Sequence, residues 1–90
     1  MEGILLERRK AAALKYKEGT DLAPKVVASG VGKLADKIIE KAEENNVPVV
    51  YNKELTELLT NVDIGDHIPP ELYEAVAHII AYITEIDGEI

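Results

Sequence analysis

Ser29-Gly30-Val31-Gly32-Lys33 is the stretch closest to known chemistry: two glycines and a lysine where a strand should give way to a helix. In such a junction, backbone N–H groups can cradle a phosphate. The full phosphate-loop pattern needs Gly at position 27 and Ser or Thr at 34, whereas the chain carries Val27 and Leu34. That double mismatch leaves only a weak phosphate-binding reading through Gly30, Gly32 and Lys33. His67 and His78 stand eleven residues apart with no ligand spacing between them, so both are expected on the surface rather than on a metal. Ser29 lacks the context of a nucleophile elbow. With no cysteine in the chain, a disulfide, a thiolate metal site and a cysteine nucleophile are all excluded. No cofactor is expected, and the chain reads as a non-enzyme.

The remaining chemistry is electrostatic. Residues 1–33 carry seven Lys or Arg against four acids, whereas residues 34–90 carry three Lys against thirteen acids. The acidic second part disfavours nucleic acid, whose binding depends on neutralising phosphates. Arg8, Arg9 and Lys10 form the densest basic cluster and read as a solvated lead-in to the first strand. No apolar run approaches the roughly 20 residues needed to span a bilayer. The basic cluster also follows the apolar patch, the reverse of a secretory signal. A cytosolic chain with no membrane insertion of its own is expected.

Ninety residues suit one small domain with a marginal core. Residues 1–9 and 86–90 are expected to be flexible ends. Four tyrosines are the only aromatics, so that core must be aliphatic. "AAALKY" alternates Ala12, Leu14 and Tyr16 against Ala11, Ala13 and Lys15, which is strand spacing, although a helix from Ile4 to Lys17 remains open on propensity. Val26 and Val27 between Pro24 and two glycines predict a strand over 25–29. A helix from Val31 to Asn45 should bury Leu34, Ala35, Ile38, Ile39 and Ala42. "VPVVYN" then reads as a strand, completing a βαβ unit with parallel strands. Asn52 suits the N-cap of a helix burying Leu55, Leu58 and Leu59. Pro70 suits the first turn of a final helix. The expected class is α/β: a short, mainly three-stranded sheet with a βαβ unit, wrapped by about three helices.

The final helix has more apolar surface than a single interface uses. Leu72, Val76, Ile79, Ile83 and Ile86 form one stripe, and Tyr73, Ala77, Ile80 and Ala81 widen the arc to about 180°. Either the extra arc packs on the sheet, or it is an exposed patch around Ala77 and Ile80 suited to docking a peptide.

"ALKY", "APKVVASGVG", "AEENNVPVVYN" and "IGDHIPPELYEAVAHIIAYI" together resemble the cytoplasmic C-terminal domain of the FlhB/YscU family of type III secretion export-gate proteins. The resemblance runs without gaps from Ala11 to Ile83. It implies a binding module of the flagellar export apparatus that takes part in export-substrate recognition or specificity switching. The implied partners are export substrates and other export-gate components, and the implied location is cytoplasmic, peripheral to the membrane gate. Carried over by position, the family's substrate patch falls on Ala23, Pro24, Ala77 and Ile80.

Relatives cleave their own backbone in an Asn-Pro-Thr-His motif just before the "ALKY" strand. Here that motif falls on Leu6, Glu7, Arg8 and Arg9, and the four prolines follow Ala, Val, Ile and Pro, so no Asn-Pro bond exists. A leucine cannot form the cyclic intermediate, and no self-cleavage is expected. The chain therefore resembles a stand-alone protein, a separate counterpart of the cleaved C-terminal fragment. The alternatives are a self-processing protein like its relatives, a generic interaction adaptor unrelated to export, and the phosphate binder described above.

Overall fold

The charged junction near the N-terminus is a β-hairpin. Glu2–Glu7 forms β1 and Lys10–Lys15 forms β2, paired antiparallel from Glu2↔Lys15 to Glu7↔Lys10. Arg9, in the two-residue connection, has φ 68°, the left-handed conformation that tight hairpins demand. The computed structural model describes residues 2–7, 9–17 and 19–88. Within them, β3 (Lys25–Val31), α1 (Lys33–Glu44), β4 (Val49–Tyr51), α2 (Lys53–Leu59), a 3-10 turn (Pro70–Leu72) and α3 (Tyr73–Gly88) follow.

The sheet has four strands in the order β3-β2-β1-β4, not three. β1 was expected to be part of a flexible end; instead it is a central strand, antiparallel to β2 and parallel to β4. Its residues Gly3 to Leu6 show no alternation because both faces of a central strand are covered. The expected flexible segment 86–90 is also corrected in part, since α3 continues through Gly88; Glu89 and Ile90 lie outside the described residues. β3 and β4 do run in the same direction, as a βαβ unit requires. They occupy opposite edges, however, with β2 and β1 inserted between them.

Helices cover both faces. On one side, α1 packs Ala35 and Ala42 against Ile4, Ala11 and Ala13. On the other, Leu55 and Leu59 of α2, Val76 of α3 and Ile68 pack against Leu5, Ala12, Leu14 and Val26. The alanines of β2 are fully or nearly buried, and their small size lets the helices lie close to the sheet. Leu34 and Leu58, both expected in the core, are 53% and 47% exposed. Leu34 instead folds back over Gly30, where an added Cβ would come within 2.4 Å of its Cγ. Gly30 is thus a packing glycine. The α1 N-terminus beside it has no side-chain cap, and nothing there besides the helix end suggests a phosphate loop.

A β-bulge sets which residues of β3 reach which core. The ladder pairs Ala13 with Ala28 but Leu14 with Val26, leaving Val27 without a partner. Strict alternation would put Val26 and Ala28 on one face. With Val27 extruded, Val26 joins the α2/α3 side and Ala28 the α1 side, the re-aiming that one extra residue produces.

Two of the predicted helix boundaries have visible causes. Asn52 Oδ1 accepts the Leu55 N–H at 3.0 Å, capping α2. At the end of α1, Asn46 takes φ 57°, Val47 N–H donates to Ala42 O at 2.8 Å and Asn46 N–H to Glu43 O at 3.3 Å. That bond pair is a Schellman motif, with Asn in the left-handed position.

Candidate functional site

Ala23 and Pro24 are positioned by two loops. Lys17 N–H donates to the Asp21 carboxylate at 2.8 Å, and Asp21 N–H returns to Lys17 O at 2.8 Å, closing the turn that leads into Leu22. Beyond it, Ile68 N–H donates to Pro24 O at 2.9 Å and Val26 N–H to Asp66 O at 3.0 Å. The 65–68 loop therefore clamps the entry to β3. Ala23, 4% exposed, lies in the core cluster that contains Val76.

α3 passes over this clamped segment. Its Tyr73, Ala77, Ile80 and Ala81 share one helical face, and with Ala23 and Pro24 they line an open depression of about 340 Å³. All four residues of the expected patch, Ala23, Pro24, Ala77 and Ile80, meet here. Ala23 and Pro24 are buried and form the floor, Ile80 is half-buried, and Ala77 is exposed.

Leu22, Tyr73 and Tyr16 also line the depression, and the sequence reading did not place them in the patch. Leu22 is 98% exposed and Tyr73 46%. Tyr73 was legible as part of the wide apolar arc, whereas Leu22 sits in a turn, where no periodicity tells which way a side chain points. Among the described residues, no Lys, Arg, Asp, Glu or His lines the cavity. Such a surface can take up apolar side chains of an extended or helical segment.

The degenerate cleavage positions lie elsewhere. Leu6 pairs with both Ala11 and Tyr51, and Glu7 pairs with Lys10. Arg9 is in the hairpin turn, and Arg8 lies outside the described residues. His67 is exposed and bridges to Lys25 through its backbone; His78 is exposed on α3. Among the described residues, no group of three or more His, Asp or Glu could hold a metal ion. No helix among them is long and apolar enough to cross a membrane.

An α/β sandwich of this shape is the architecture of export-gate cytoplasmic domains. The cytoplasmic domain of FlhB from Shewanella putrefaciens superposes with a TM-score of 0.88 at 32% identity, over 94% of this chain and 67% of that one. A mutated EscU C-terminal domain gives 0.83 at 30% identity, over 89% of this chain and 81% of that one. Residues 9–83 match the FlhB HrpN YscU SpaS Family. The chain belongs to that family, which ties it to flagellar and type III protein export. It is 43% identical to the uncharacterized protein YlqH of Bacillus subtilis over 91% of this chain and 88% of YlqH. With the flagellar biosynthetic protein FlhB of Aquifex aeolicus it shares 50% identity over 81% of this chain, but spans only 21% of that protein.

Proposed function

We propose that this chain is a non-catalytic binding module of the flagellar type III export apparatus. It takes part in export-substrate recognition or specificity switching, as a counterpart of the cytoplasmic C-terminal part of FlhB. One observation carries the reading: Ala23, Pro24, Ala77 and Ile80, from two distant parts of the sequence, line a single depression with no charged side chain among its described lining residues. An apolar segment of an export substrate fits its chemistry.

Ala77→Asp is the cleanest probe, because Ala77 is exposed whereas Ile80 packs against the core. Co-purification with a flagellar export substrate should fall at least about tenfold while the melting temperature stays within a few degrees. Unchanged co-purification would sink the assignment.

Self-cleavage has no place in this role. Leu6 stands where cyclisation needs an Asn, and the chain has no Asn-Pro bond. Prolonged incubation should leave one intact species of 9.9 kDa by mass spectrometry, and a fragment ending at Leu6 would refute the reading.

A further inference from the structure

β3 is an edge strand, and its outer side is closed only in part. The 65–68 loop occupies the first half: Val26 N–H donates to Asp66 O, Gly65 N–H to Val26 O, and Lys25 bridges to His67. Beyond the bulge the situation changes. Gly32 N–H points inward to Arg9 O at 2.8 Å, so alternation turns the N–H and C=O of Val31 and Ser29 outward. No backbone group among the described residues meets them there. The side chains around this open stretch are apolar or small, with Val27 and Val31 44% and 61% exposed.

Charge decides what could lie along it. The Val31 end of the strand is basic. Arg9 reaches so close that its Nη2 would lie 3.6 Å from a Cβ on Gly32, and Lys33 is exposed at the start of α1. Lys10 adjoins Val31 in the ladder and pairs with Glu57 at 3.7 Å. Asp36 lies one turn along α1, and Asp63 and Asp66 belong to the loop at the far end. A second copy of this chain fits poorly: the strand it would offer, β3 (KVVASGV), carries no acidic residue to meet Arg9 and Lys33.

We infer that the Ser29–Val31 edge is a strand-addition site for an extended segment of a partner protein that is acidic at the Val31 end and β-branched along its length. Main-chain bonds to Ser29 and Val31 supply the affinity. Arg9 and Lys33 set which end of the segment lies where. This surface is separate from the depression under α3, so the two sites can fail independently.

A synthetic peptide of alternating Val and Thr preceded by a pair of aspartates tests the site. Added to the full chain, it should slow amide exchange at Ser29 and Val31 about tenfold, and bind more weakly as salt is raised. The same peptide with lysines for the aspartates should not protect them. Proline is tolerated on an edge strand where the N–H faces solvent, so Val31→Pro should keep the fold and abolish protection. Lys33→Glu should weaken the acidic peptide and strengthen the basic one, while Ala77→Asp should change neither. The inference is overturned if both peptides protect equally, or if the perturbed amides are those of Ala77 and Ile80. It is also overturned if Ser29 and Val31 are already protected in a free chain that sediments as a dimer.

Discussion

At the scale of single residues, the most informative side chain is one that does not fit. Thr56 is fully buried on α2, and its Oγ1 has no hydrogen-bond partner among the described residues. An unsatisfied buried hydroxyl costs about 1–3 kcal/mol, and Val has nearly the same shape. Thr56→Val should therefore stabilise the protein by about 1–2 kcal/mol, read as a higher urea midpoint at unchanged slope. A lower midpoint would mean that the hydroxyl has an unseen partner. Leu22 poses the opposite case. At 98% exposure it contributes almost nothing to folding, so Leu22→Ser should shift stability by less than about 0.5 kcal/mol. If the depression receives apolar side chains, the same change should weaken substrate co-purification several-fold. An unaltered yield would remove Leu22 from the binding surface.

At the scale of elements, the bulge in β3 makes an unusual prediction. Removing a residue from a strand normally turns its remaining side chains to the wrong faces. Deleting Val27 should not, because the shortened strand would pair Leu14 with Val26 and Ala13 with Ala28 in a regular ladder, as both already do. The Val27 deletion should retain a cooperative urea transition, whereas deleting Ala12, in the unbulged β2, should abolish it. Loss of the transition in both would show that the bulge is needed for the sheet's twist. The same elements explain what was legible beforehand. β2, α1, α2 and α3 announced themselves through periodicity, the Asn52 cap and the Pro70 start. β1 did not, because its short apolar run is covered on both faces and is followed at once by charges. Its insertion between β2 and β4 is a matter of tertiary pairing, which no local pattern encodes. The site divided likewise: Ala77 and Ile80 were visible as surplus apolar arc, Ala23 and Pro24 came only through resemblance, and Leu22 had no signal.

At the scale of the whole molecule, β1 is the element on which the rest depends. The radius of gyration is 12.0 Å, about what ninety residues give when packed as one domain, and the sheet at its centre is continuous only through β1. Ile4 and Leu5 are 6% and 1% exposed and belong to opposite cores. Gly3 leaves room for Ile83, whose Cδ1 would lie 2.7 Å from an added Cβ. Without β1, β2 and β4 would face each other across an empty strand position, and both helical layers would lose their floor. Deleting residues 2–7 should therefore abolish cooperative unfolding, the reverse of what a flexible lead-in would do. Adding a synthetic peptide of residues 1–8 should restore it, since β1 is held by pairing on both sides and its link to β2 is only the hairpin turn. Restoration would show that the covalent bond at this turn is dispensable for the fold. A truncated chain that still unfolds cooperatively without the peptide would contradict the central place of β1.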